Sequence, residues 1–393
     1  MKSISDWLII FIFCGVLLSS FLLWLFLPGK RFSENEKRPL ARFPELTTAV
    51  NAKDYLKQFD LYYQDHFGLR EWMTHRYQRE VRKRFGESGS PLVIEGKAGW
   101  LFTASENVLE DLQGKLRFDE DELNRLCQGL QEKHDWFARQ GILYIPFVAP
   151  NKQSIYGHKM KDSYRILKGD TTRFDQVLGA CNNGLLYDLR SALRKKSESV
   201  RSYAKTDTHW NYQGALCAYD YLMAEIQKKY PDFMVRKQFT FAEKPKVRKG
   251  GDLAMMLGQS DSMTELWPVL QKNELWTKRI IIPPEIKQHI THPKLQPMLY
   301  QGNPKAIRLL VLRDSFFNAL IGFMSVNFSE SLYVWQFFDR ETLKTSGPAN
   351  LLPLLGVFKP DVVIEEIVER HLDWLLESVD HDWRGPQQES PDN

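Results

Sequence analysis

The stretch Ile307–Phe323, IRLLVLRDSFFNALIGF, decides the fold. Residues 307–312 are apolar almost without a break, as in a strand covered on both faces within a parallel sheet. A helix is expected to follow, with Ser315 at the turn between them. At the carboxyl edge of an α/β sheet such a turn is where a nucleophile is exposed, because free N–H groups of the following helix can meet a developing oxyanion. Helix capping is the competing account, since Asp-Ser ahead of a helix is also what an N-cap looks like.

Outward from this stretch, strands and helices alternate. PLVIEG at 91–96 and GWLF at 99–102 read as strands, followed by a helix at 119–139 and the strand ILYIPFVA at 142–149. A helix at 212–229 and strands at 332–338 and 361–367 continue the series. The alternation predicts an α/β domain with a mainly parallel sheet covered by helices. Residues 230–306 alternate least and read as surface loops or an antiparallel excursion. Upstream, Leu56, Phe59, Tyr63, Phe67 and Trp72 recur at helical intervals across 52–85, which predicts a helix packed on the main domain. Residues 29–50 carry Pro39 and Pro44 and read as a stalk. The expected divisions are an anchor at 1–28, stalk and packing helix at 29–88, the main domain at 89–380 and a polar tail at 381–393.

Trp7–Leu27 holds no charge and no proline. At ~1.5 Å per residue it is long enough for the ~30 Å hydrocarbon core, which predicts one transmembrane helix. The run is long for a cleaved signal, and LPGKR follows it in place of a small-residue cleavage site. Lys2 precedes the span while Lys30, Arg31, Lys37, Arg38 and Arg42 follow, so charge balance alone favours a cytoplasmic carboxyl-terminal part.

The 393 residues are 43% hydrophobic with 24 Phe and 11 Trp, ample for a large core. A formal charge of +4 comes without a basic patch interleaved with stacking aromatics, which sets nucleic acid aside. Cys14, Cys127, Cys181 and Cys217 form neither a CxxC nor a Cys/His cluster, so no metal site is expected. One disulfide is the most the last three allow, and buried apolar cysteines are the plainer reading.

A second stretch supplies partners for a serine. In KTDTHWNYQGA, 205–215, Asp207 and His209 point to the same side of an extended segment. A carboxylate on Nδ1 would fix the tautomer that leaves Nε2 free to take a hydroxyl proton. Trp210 is read first as packing and second as a substrate contact. Asn151 and Gly251 are candidate oxyanion donors, through a side-chain amide and a closely approaching backbone, or else turn residues. Asp65-His66 is read as part of a packed helix end, Glu365, Glu366 and Glu369 as solvated acids at a strand end, and REVRKR at 79–84 as a solvated helix face.

TDTHW at 206–210 followed by RDSFF at 313–317 resembles the alginate O-acetyltransferase family of the AlgJ/AlgX type. ENEKRPLARFPEL at 34–46, FDLYYQDHFGLR at 59–70, GKAGWLF at 96–102, APNKQSIYG at 149–157, GGDLAMMLG at 250–258 and KPDVVIEEIVER at 359–370 also have counterparts there. The resemblance implies an SGNH-hydrolase-like three-layer domain with Ser315 as nucleophile, His209 as base and Asp207 as its orienting partner. It implies transfer of acetyl through an acyl-serine to hydroxyls of an exopolysaccharide or surface glycan, in the periplasm, on the outer side of the inner membrane. A multi-span membrane acyltransferase is implied as the acetyl source, with no cofactor. Arg313 stands where glycine is common in the family, and its side chain is expected to narrow the pocket or bind an anionic group. A carbohydrate esterase using the same residues and a non-catalytic glycan-binding scaffold are the alternatives.

Overall fold

The computed structural model describes residues 4–26, 31–33, 38–45, 51–181, 184–236, 239–271, 277–290, 296–339, 344–346 and 351–380, so the expected tail at 381–393 lies outside them. The chain forms two compact units, one of residues 1–95 with 249–264, the other of 96–248 with 265–393. The first therefore takes in a segment from the middle of what the sequence suggested was one continuous domain.

In the first unit, helix α1 covers Ile4–Phe26, 23 residues. Its side chains are described only in part, and among the described residues no helix is long and apolar enough to cross a membrane. Where one long helix was expected, the chain makes two, α2 (Ala52–His66) and α3 (Arg70–Phe85). Asn51 caps α2 by accepting the Asp54 N–H at 2.9 Å. At Phe67 the backbone turns extended, with ψ 122°, and Gly68 follows, a poor helix residue. Gly86 closes α3 in the left-handed region, φ +67°, which glycine adopts without a Cβ clash.

The stalk reading of 29–50 also needs correction. Phe32–Ser33 pairs antiparallel with Arg38–Pro39. Arg38 binds both oxygens of Asp65, at 2.5 and 2.8 Å, and the Ala41 N–H adds a third bond to that carboxylate. The Arg38 guanidinium holds the Asp65 carboxyl down at about 2. His66 Nε2 lies 3.0 Å from the Ala41 carbonyl, so Asp65-His66 is an anchoring pair at a helix end.

The second unit is built on a seven-stranded sheet. Its strands are β1 (Leu143–Ala149), β2 (Tyr187–Asp188), β3 (Lys278–Ile280), β4 (Met298–Gln301), β5 (Leu309–Arg313), β6 (Glu330–Trp335) and β7 (Val362–Val368). Across the sheet they lie in the order β2-β1-β7-β5-β6-β4-β3. The first five run parallel, whereas β4 pairs antiparallel with β6 and β3 antiparallel with β4. The mainly parallel α/β expectation holds, and part of 230–306 is the antiparallel edge. Every residue of β5 and β7 is buried, as an unbroken apolar run demands.

Helices cover both faces. On one, α4 (Glu120–Arg139) sets Phe137 against Tyr144, and α8 (Leu351–Phe358) completes a core with Leu310, Leu312, Leu332, Val334 and Val363. On the other, Phe317 packs on Phe147 and Tyr333, and α7 (Tyr212–Lys229) lays Tyr219 on Phe323. Between these in chain order come α5 (Lys152–Tyr156) and α6 (Arg173–Ala180), and α9 (Leu372–Asp380) packs on α4. A strand expected through 332–338 stops at Trp335, and Phe337–Asp339 turns into a separate hairpin with Lys344–Ser346.

Two sequence readings are overturned here. Cys127 in α4 and Cys181 after α6 form a disulfide rather than separate buried thiols, because the packing of α4 on α6 brings their Cα atoms to 5.1 Å. Cys217 stays reduced and half-buried, and burial pushes its thiol up to about 11. Nor are Glu365, Glu366 and Glu369 solvated, since all three are buried. Glu365 pairs with buried Lys133 at 3.1 Å and accepts the Tyr144 hydroxyl. Charged groups without water persist only when paired in this way.

Candidate active site

The turn after β5 leaves the Ser315 side chain without a capping bond. The Ser315 backbone is right-handed, φ −70° and ψ −24°. A 3-10 turn, Phe316–Ala319, succeeds it, and the short α-helix Ile321–Ser325 that follows starts from Leu320, so the Ser315 hydroxyl caps neither. Asp314 does the local bonding instead. Its carboxylate accepts the N–H of Phe316 at 2.7 Å and that of Val368 at 2.9 Å, while its own N–H donates to Glu366 at 2.8 Å. Burial pushes the Glu366 carboxyl well up, with the Asp314 charge adding to the effect. The Ser315 turn is thus tied to the end of β7 through Asp314.

Ser315 Oγ lies 2.8 Å from His209 Nε2, and His209 Nδ1 lies 2.6 Å from Asp207 Oδ1. Residues 106 positions apart meet at the carboxyl edge of the sheet. The same Asp207 oxygen accepts the His209 backbone N–H at 3.0 Å, so one carboxylate holds both ring and backbone. A carboxylate on Nδ1 fixes the tautomer whose Nε2 accepts the serine proton. The ring lies tilted against Phe316, centroids 4.8 Å apart, and the imidazole and Asp207 side chains remain partly open to solvent.

The histidine loop is held from beneath by a residue that the sequence pattern does not single out. Lys152, 2% exposed, sends its ammonium to three carbonyls, those of Ala204, Lys205 and Asp207, at 3.0, 3.2 and 2.6 Å. Glu265, also buried, accepts the N–H groups of Lys205 and Thr206 and the Thr206 hydroxyl at 2.9, 3.2 and 2.5 Å. The lysine lies within APNKQSIYG, but that segment assigns it no such part, and the glutamate falls in the poorly alternating interval. Only the convergence of backbone carbonyls and N–H groups on them shows their part.

The other predicted site residues are placed differently. Trp210 is 1% exposed and donates its indole N–H to the Phe316 carbonyl at 2.9 Å, so it packs and does not face a substrate. Arg313 is likewise 1% exposed. Its guanidinium bonds inward to the Asp314 carbonyl and Asn318 Oδ1, at 3.1 and 2.9 Å, and lies over the Trp335 ring. The expectation that Arg313 narrows the pocket or holds an anion therefore fails, because an arginine at the end of a fully buried strand has to find its partners inside. Asn151 is buried beside β7, its N–H donating to Glu369 at 2.7 Å and its Oδ1 lying 3.4 Å from Arg370 Nη1. Gly251 caps the short helix Asp252–Met256 in the first unit.

With this geometry in hand, residues 93–280 match the family model described as the SGNH hydrolase-like domain of the acetyltransferase AlgX. That span includes Asp207 and His209 and stops short of Ser315. The chain is 26% identical over 223 residues to the probable alginate O-acetylase AlgJ of Pseudomonas syringae pv. tomato, 56% of this chain and 55% of that protein. It is 24% identical over 341 residues to the Pseudomonas fluorescens protein of the same description, 83% of this chain and 79% of the relative. The match therefore spans about half the length of the first relative. The solved O-acetyltransferase domain of Pseudomonas putida AlgJ is similar at 19% identity and a TM-score of 0.39, over 73% of this chain and 98% of that one.

Proposed function

From a chain related to the alginate O-acetyltransferase family of the AlgJ/AlgX type, we propose a polysaccharide O-acetyltransferase that works through an acyl-serine. The observation that carries the reading is the alignment of Ser315 Oγ, the His209 ring and Asp207 at 2.8 and 2.6 Å. His209 Nε2 takes the Ser315 proton as Oγ attacks the acetyl carbonyl of a donor ester. The tetrahedral intermediate collapses, the donor oxygen leaves with the proton from His209, and acetyl stays on Ser315. A sugar hydroxyl then gives its proton to His209 and attacks the acyl-serine, and Ser315 leaves with that proton. Asp207 holds Nδ1 throughout and stabilises the imidazolium. The Ser315 N–H and the Asn151 amide are the proposed oxyanion donors, the Arg370 contact to Oδ1 leaving Nδ2 free to donate.

The acceptor is an exopolysaccharide or other surface glycan, and the donor is an acetyl ester supplied by a multi-span membrane acyltransferase. We place α1 as the single-pass inner-membrane anchor: its 23 residues rise ~35 Å, and Trp7–Leu27 carries no charge. The catalytic unit belongs in the periplasm. The Cys127–Cys181 disulfide supports an oxidising compartment against the basic residues that follow the anchor. A topology reporter at the carboxyl terminus giving a cytoplasmic signal would overturn this placement.

The chemistry is tested by mass spectrometry of the chain incubated with an acetyl ester, alone and with an oligosaccharide acceptor. An adduct on Ser315 that is discharged faster by sugar than by water is expected. Ser315→Ala should show no adduct, and Asp207→Asn should slow its formation on the order of 10³-fold or more. An adduct that persists in Ser315→Ala ends the reading, while free acetate in place of acetylated sugar converts it to an esterase.

A further inference from the structure

Helices α2 and α3 leave apolar side chains that nothing among the described residues covers. No residue of α2 is buried, and α3 buries only Gln78. Trp72, Met73 and Tyr77 on α3 are exposed, Trp72 at 65% and Tyr77 at 62%. At 100° per residue Trp72, Met73, Arg76, Tyr77, Arg79, Lys83 and Arg84 share one broad stripe. Its cations keep part of their surface in solvent. Their one acidic neighbour on the stripe is Glu80, 3.7 Å from Arg76 and 3.5 Å from Arg84.

We propose that this stripe docks on a bilayer surface containing anionic phospholipid. In that contact α3 lies in the headgroup layer, with Trp72, Met73 and Tyr77 at the acyl boundary and Arg76, Arg79, Lys83 and Arg84 reaching phosphate oxygens. Three observations favour lipid as the occupant. The positive excess complements an anionic surface. Amphipathic Trp and Tyr rings settle at membrane interfaces, and Arg and Lys stems lie along apolar surface while their charges stay wet. The exposed apolar side chains of α1 belong to the same unit, so the chain from Phe26 to Ala52 tethers α3 near whatever α1 enters. The tether rests on the anchor proposed above; the surface contact does not.

The test uses the full chain with Cys14→Ser and Cys217→Ser, a nitroxide on Tyr77→Cys, and reconstitution into vesicles. Spin-label accessibility to oxygen and to a water-soluble nickel complex reads the depth of position 77. Vesicles of phosphatidylethanolamine and phosphatidylglycerol are expected to shift the label into the interface, pure phosphatidylcholine to leave it in water. Arg79→Glu with Lys83→Glu should weaken the shift at least about tenfold while α1 stays inserted. If that pair misfolds, Arg79→Gln with Lys83→Gln and the salt dependence of the unreversed chain read the same contact. A label that stays in water on anionic vesicles overturns the proposal. So does one buried only in native membranes, which would make the occupant a protein, or only by an acidic oligosaccharide.

Discussion

The indole N–H of Trp210 donates to the carbonyl of Phe316 at 2.9 Å, so the residue after His209 is bonded to the residue after Ser315. The rings of Trp210 and Phe316 also meet edge to face, centroids 5.4 Å apart. His209 and Ser315 therefore share a buried strut as well as the bond between them, and neither loop can shift without moving the other.

Trp210→Phe keeps most of the packing and removes the strut. It leaves the Phe316 carbonyl buried without its donor, which costs about 1–3 kcal/mol. Denaturant unfolding should show that loss, and kcat for acetyl transfer should fall with KM little changed.

Lys152→Met deletes three bonds under the histidine loop at once and leaves the carbonyls of Ala204, Lys205 and Asp207 without that partner. A loss of roughly 3 kcal/mol or more is expected. Acyl-serine formation should fall in parallel, and an unchanged rate in the folded variant would show that the loop holds itself.

Burial raises the Glu369 carboxyl from 4.5 to about 7, only partly offset by the Ser154 hydroxyl, the Arg190 charge and the Asn151 N–H. Between those pH values the native state holds a proton that the unfolded chain has released. Stability from this group is therefore full below about pH 4.5, falls as pH rises toward 7, and levels off above, a change of about 3 kcal/mol. Glu369→Gln should flatten that part of the stability profile in urea melts taken from pH 4.5 to 8.

The Cys127–Cys181 bond closes a loop with a sequence separation of 54. Reducing it, or replacing both residues by serine, should cost about 2–5 kcal/mol. Melts with and without dithiothreitol measure this, and equal midpoints would mean that the packing of α4 on α6 holds unaided.

Local pattern made much of this legible. The strand at 307–312, the helices at 119–139 and 212–229, and the pairing of Asp207 with His209 all lie within the reach of periodicity and short spacing, which depend on neighbours in the chain. The break at Phe67 escaped because α2 and α3 keep nearly the same helical rhythm across it. The charged side chains were misread for another reason. Arg313 reads as a pocket residue and Glu365, Glu366 and Glu369 as solvated acids, yet each is buried on or beside a strand whose partners come from elsewhere.

What the sequence by itself determined is the alternation of elements, the apolar run at the amino end, and a serine, a histidine and an aspartate in two short motifs. Such features follow from residue spacing along one chain. That Ser315 meets His209 across 106 positions, that Lys152 and Glu265 brace the loop beneath, and that Cys127 reaches Cys181 were decided only by the tertiary structure. Each depends on strand order and helix packing, which bring remote backbone groups to a few ångströms, and no local pattern in the chain encodes that distance.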